Sequence, residues 1–119
     1  MRNNRQAGAR YENAAKDFLI TYGYDIIAQN YRSGRHEIDI ICRKDNQLIF
    51  VEVKGSASEV FGDAALKVNL AKQQSIIAAA QGYIQNANVE YDSYRFDVIV
   101  VADKQGELLI EHVEGAFTL

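Results

Sequence analysis

The sequence has no proline and no tryptophan, and only one cysteine and two histidines, among its 119 residues. Each shortage closes a class of function. A lone Cys42 cannot form an internal disulfide, and its place in the apolar run Ile38 to Cys42 reads as a buried core thiol. Two isolated histidines, His36 and His112, do not make a zinc site. Without proline, low-complexity segments or internal repeats there is no linker and no domain boundary. No apolar stretch is long enough to span a bilayer, and Met1-Arg2-Asn3-Asn4-Arg5 has no apolar segment behind it. The expected location is therefore the cytoplasm, with no membrane partner. There is no glycine-rich phosphate loop, no CxxC and no nucleophile elbow, so serine and cysteine nucleophile chemistry lacks a supporting constellation.

What is present is a globular composition. Apolar residues make up 48% and charged residues 24%, which fits one domain over 1–119 with enough chain to bury a core unaided. The net charge of −3 and pI of about 5.3 argue against a general nucleic-acid binder. The charge is uneven, however. Residues 1–36 carry six Arg/Lys against three Asp/Glu, a balance of +3, and the remainder carries seven against thirteen, −6. The basic N-terminal third is thus the side suited to a polyanion.

Apolar residues at Ala7, Tyr11, Ala14, Ala15, Phe18, Leu19 and Tyr22 fall at helical intervals, which predicts a helix from Gln6 to Tyr22 with Gly23 after its end. Tyr24 to Tyr31 reads as a strand. Glu37 to Arg43 and Leu48 to Lys54 read as two more, joined by the polar loop Arg43 to Gln47 as a hairpin. Gly55 to Lys67 reads as irregular. A second helix is expected from Asn69, a good N-cap, to Asn86, with an apolar stripe of Ile76, Ile77, Ala80, Tyr83 and Ile84. Tyr94 to Ala102 and Glu107 to Val113 complete an α-β-β-β-α-β-β order. This predicts a three-layer α/β/α sandwich on a mixed sheet, the long crossover from Lys54 to Tyr94 allowing a parallel pair.

Strict alternation along the hairpin puts Glu37, Asp39 and Ile41 on one face and Ile38, Ile40 and Cys42 on the other. Leu48, Phe50, Glu52 and Lys54 share a face of the next strand. Asp39 and Glu52 would then reach a common point, on faces that also carry large apolar residues. Acids on a covered face need a partner, and a bound cation is one. Asp39, with Glu52-Val53-Lys54 thirteen residues on, has the form of the PD-(D/E)xK nuclease motif. Magnesium, or manganese in its place, takes hard oxygen ligands and keeps several waters. Lys54 would orient the attacking water. The bland reading of the same residues is a solvated strand pair with an Asp39–Lys54 or Glu52–Lys54 ion pair. Glu12, on a helix row with Gly8, Ala15 and Leu19, borders the apolar stripe and is a further candidate ligand. Lys72, one turn before Ile76, is a candidate phosphate contact, with Gln73 and Arg35 as weaker ones. Arg95 and Asp97 share a strand face and read as a structural pair.

Residues across nearly the whole chain resemble the uncharacterised bacterial YraN-like family: Gly8-x3-Glu12, Gly23-Tyr24, Asn30-Tyr31-Arg32, Glu37-Ile38-Asp39-Ile40-Ile41, Phe50-Val51-Glu52-Val53-Lys54, Lys72, Arg95-Phe96-Asp97-Val98 and Ala116-Phe117. The resemblance implies a restriction-endonuclease-like fold similar to archaeal Holliday-junction resolvases. In those enzymes a helix glutamate joins the motif acids and lysine; the matching positions are Glu12, Asp39, Glu52 and Lys54. It further implies a Mg2+- or Mn2+-dependent endonuclease acting on nucleic acid, DNA before RNA and branched forms included. By analogy with duplex-cutting relatives, a homodimer is expected. A nucleic-acid-binding module with the same fold, or a protein-interaction scaffold, are the rival readings. Two positions depart from the family's usual pattern: His36 stands where glycine precedes Glu-Ile-Asp, and Gly55-Ser56 stands where Thr-Arg follows Glu-Val-Lys.

Overall fold

A computed structural model describes residues 4–56, 68–88 and 90–118. Helix α1 (Asn4–Thr21) leads into three strands, β1 (Asp25–Ser33), β2 (His36–Lys44) and β3 (Gln47–Ser56); helix α2 (Leu70–Asn86) follows, then β4 (Ser93–Lys104) and β5 (Glu107–Phe117). The sheet runs β1-β2-β3-β4-β5 in space, with β3 and β4 parallel and every other pair antiparallel. The expected order, sandwich layers and parallel crossover are all present. Gly55 and Ser56, expected to be irregular, extend β3, and residues 57–67 lie outside the described ones.

The helix ends follow local chemistry. Gly23 adopts φ +89 and closes α1: Tyr24 N donates to Leu19 O (2.9 Å) and Gly23 N to Ile20 O (3.1 Å), consuming carbonyls the helix leaves open. Asn69 caps α2, its side chain accepting from Lys72 N at 2.8 Å. Each helix buries its stripe on a different face of the sheet. Tyr11, Ala15, Phe18 and Leu19 of α1 pack on Ile40, Cys42, Ile49, Val51, Ile99 and Val101. On the other face, Ile76, Ala79 and Ala80 of α2 pack on Ile38, Ile41, Leu48, Phe50 and Phe96. Cys42 is fully buried, and burial pushes its thiol up to about 12. Tyr22, assigned to the apolar stripe of α1, is instead 60% exposed and stacks obliquely on Phe18. It follows the last residue of α1, in the turn that leads to Gly23.

Strict alternation fails at one place on β2, and that place matters. Ile40, Ile41 and Cys42 alternate as expected, but Ile38 packs with Ile41 on the α2 face rather than with Ile40. Opposite this step, Asn30 of β1 has φ +52, a left-handed conformation that asparagine tolerates better than most residues. Pairing of β2 with β3 also stops at Ile40↔Val51. The next residues in register, Asp39 and Glu52, face each other where the two strands part.

Candidate functional site

Asp39 occupies the gap left by the parted strands. Its Oδ2 accepts from the backbone N–H of Val53 at 2.8 Å, so a side chain replaces the next ladder bond and fixes the carboxylate between β2 and β3. Glu52 projects from β3 with its carboxyl in hydrogen-bonding reach of Asp39. It is only 8% exposed. Burial, and then the neighbouring Asp39, push the Glu52 carboxyl up to about 8, against the smaller opposing pull of Lys72. Its Oε2 is buried without a hydrogen-bond partner, and Lys72 Nζ lies 3.4 Å away, close enough for an ion pair.

Glu12 approaches Asp39 from the α1 face of the sheet. Partial burial, Asp39 and Glu37 together push its carboxyl up to about 6. With the Asn30 amide turned to satisfy its neighbours, its nitrogen donates to Glu12 Oε1 at 2.7 Å and to Glu37 Oε1 at 3.3 Å. Asn30, in its left-handed conformation, thus ties two acids of different elements together. Position α1 is set by Tyr11, one residue before Glu12. Its ring lies so close to Gly55 that any Cβ there would overlap it. Gly55, the departure from the resembling family's pattern, is thus matched by the ring above it.

Two concavities flank the acids. One, of about 510 Å³, is lined by Gly8, Glu12, Asn13, Asn30, Arg32 and Glu37 among others. The other, of about 280 Å³, is lined by Glu52, Val53, Lys54, Val68, Asn69 and Lys72. Asp39 and Glu52 therefore meet at the strand opening, with Lys54 and Lys72 lining the cleft on Glu52's side and Glu12 lining the one on the other side, near Asp39. Among the described residues, no three Asp, Glu, His or Cys side chains close into a ready metal-holding group, so Glu12 faces Asp39 without completing a triad. Gln73 spends its amide on Val68 O at 2.8 Å and does not line the cleft beside Lys72. Arg35 sits in the β1–β2 turn and lines neither cleft. Composition and spacing gave no role to Asn30, Glu37 or the His36 contact. His36 Nδ1 lies 2.9 Å from Ser75 Oγ and ties the start of β2 to α2. For Asn30 the signals in the sequence were its residue type, one that accepts positive φ, and its place in the Asn30-Tyr31-Arg32 element of the family resemblance.

A second polar cluster is structural. Asp97 is fully buried and receives both Arg95 Nε and a second guanidinium nitrogen at 2.8 Å, Gly115 N at 3.0 Å and a contact from His112 Nε2 at 2.7 Å. Burial alone would raise its carboxyl, but the bonds from His112, Arg95 and Gly115 outweigh it and hold it below the usual range. Arg95 also donates to the Tyr24 hydroxyl at 3.0 Å, linking β4 to the end of α1. The Arg95–Asp97 pair is as expected; His112 was not read as its partner, because the β5 register that brings it there is not local in sequence.

A five-stranded mixed sheet between two helices, parting its central hairpin around two opposed carboxylates with a lysine beside them, defines a restriction-endonuclease-like α/β domain. The chain belongs to the uncharacterised protein family UPF0102, whose family model matches residues 11–101. It is 42% identical to a UPF0102 protein of Thermodesulfovibrio yellowstonii, over 94% of this chain and 96% of that one. It is 37% identical to one from Saccharophagus degradans, over 100% and 98%, and 34% identical to one from Bacteroides thetaiotaomicron, over 98% and 96%. No described helix is long and apolar enough to cross a membrane.

Proposed function

We propose that this protein is a divalent-cation-dependent endonuclease that hydrolyses phosphodiester bonds of nucleic acid, DNA in preference to RNA. The observation that carries the reading is the buried Glu52 Oε2, without a hydrogen-bond partner, set against Asp39 where β2 and β3 separate. Two acids held together there are costly in their charged forms, and one half-exposed lysine offsets only part of that, so the pair favours a divalent cation. The donor set fits a hard cation: Asp39 and Glu52 offer carboxylate oxygens, and Glu12 stands behind Asp39 to assist. Magnesium or manganese held there would make a water a better nucleophile and offset charge on the attacked phosphate. The chain's own residues do the rest. Val53 N–H holds Asp39 in place. Lys54 orients the attacking water and favours its deprotonation. Lys72 brings a positive charge to the phosphate from α2.

Incubation with branched, duplex and single-stranded DNA and RNA, with magnesium or manganese, tests the reading. Cleavage is expected, with Asp39→Ala and Lys54→Ala at least about a hundredfold slower. If no substrate is cut, or if either variant cuts as fast as the wild type, the reading fails. Salt-dependent nucleic-acid binding with no product would instead indicate a binding module of the same fold.

A further inference from the structure

The cation beside Glu52 in this structure is the chain's own. Lys72 Nζ stands 3.4 Å from the buried Oε2, while its side chain remains 48% exposed on the first turn of α2. Its flexible four-carbon stem and compact ammonium can hold more than one position. The cleft it borders runs past Lys54 and Asn69. Two positive charges cannot share one carboxylate oxygen at close range without strong repulsion. A divalent ion taking Oε2 must therefore expel the ammonium, and the cleft is the open space next to it.

We propose that Lys72 is an exchangeable counter-ion: it holds Glu52 Oε2 until a divalent cation displaces it, and the released ammonium then takes a phosphodiester phosphate in the adjoining cleft. This rests on the cation-dependent reading above and adds an order to it, cation first and phosphate second. The lysine offers nothing to a phosphate while it is engaged with Glu52. A nucleic acid that arrives without a cation meets the acids Asp39 and Glu52 with that charge already committed.

Amine labelling of the intact protein, read residue by residue by mass spectrometry, tests this. Lys16 and Lys44 serve as internal references. Lys44 is anchored elsewhere, donating to Tyr22 O at 2.9 Å. Saturating manganese should raise Lys72 labelling about two- to fivefold, the range expected for releasing a partly exposed ion pair, and leave Lys16 and Lys44 unchanged. Calorimetry in parallel should show manganese binding in the wild type and not in Asp39→Asn. Adding a DNA duplex to the Lys54→Ala protein, which keeps both acids, should then suppress Lys72 labelling with manganese and not without it. Manganese binding that depends on Asp39 but leaves Lys72 labelling unchanged overturns the exchange and spares the nuclease reading. Protection of Lys72 by DNA in the absence of cation overturns it equally. No manganese binding in the wild type removes the nuclease reading and the exchange with it.

Discussion

Replacing Glu52 with glutamine should make the protein more stable, because the wild type keeps an acid where its charged form is disfavoured. An unfolded glutamate titrates near 4.5, whereas burial and Asp39 push Glu52 up to about 8. Between those values the folded state binds a proton that the unfolded state releases. Stability therefore falls as pH rises across this window, by about 1.4 kcal/mol per pH unit. At pH 7 the wild type has lost about 3 kcal/mol relative to its acid side, an upper figure because Lys72 can swing closer to Glu52 as it ionises. Glutamine resembles the protonated acid at every pH, so Glu52→Gln should be up to about 3 kcal/mol more stable at pH 7, roughly 10 °C in Tm for a domain of this size. Its urea midpoint should be flatter than the wild type's from pH 5 to 8. Urea unfolding of both proteins across that range, without divalent cation, is the assay. Adding manganese should then stabilise the wild type and leave the variant unmoved. A wild-type stability that is flat across the window, or a variant that is less stable at pH 8, refutes the reasoning.

Two further outcomes follow from the packing. Asp97→Ala should cost about 2–4 kcal/mol at neutral pH, since it removes the buried acid that Arg95, His112 and Gly115 N share, while Arg95 keeps Tyr24, Gln47 and Glu114. The depressed Asp97 carboxyl contributes stability above the ordinary carboxylate range and loses it as pH falls through its lowered value, so the gap between variant and wild type in urea unfolding should narrow toward strong acid. Gly55→Ala should cost about 1–3 kcal/mol because the new methyl overlaps the Tyr11 ring. Tyr11→Ala should relieve part of that cost, giving a coupling of at least about 0.5 kcal/mol in a double-mutant cycle measured by urea unfolding; strict additivity would show that the two residues do not touch.

The elements were readable because their signals are local. Helical spacing of apolar residues, Gly23 after α1, Asn69 before α2 and β-branched runs in β3 and β4 each act within a few residues, and each element stands within a few residues of its expected bounds. Asp39, Glu52 and Lys54 were legible for a similar reason. An acid on an otherwise apolar strand conflicts with its surroundings, and that conflict is visible in a list of residue types. Glu12 and Lys72 were legible as polar residues bordering a buried stripe.

The rest depended on contacts between distant segments. Alternation placed Ile38 on the wrong side of the sheet, because β2 steps at Asp39, opposite the left-handed Asn30 of the neighbouring strand. It still brought Asp39 opposite Glu52, since the register from Lys44↔Gln47 to Ile40↔Val51 depends on a short hairpin loop. Gly55 read as the start of an irregular segment and a departure from the family's pattern, whereas it extends β3 beneath the ring of Tyr11, forty-four positions earlier in the chain. His112 read as isolated until β5 folded back on β4 and set it against Asp97.

The amino-acid sequence by itself determined the succession of helices and strands, the two buried faces and the acids that conflict with them, because periodicity and residue type are properties of neighbouring positions. Only the tertiary structure decided that the central hairpin opens at Asp39, that Asn30 joins Glu12 to Glu37, and that Lys72 stands 3.4 Å from Glu52's buried oxygen. Those are distances between elements brought together by packing, and no local pattern contains them.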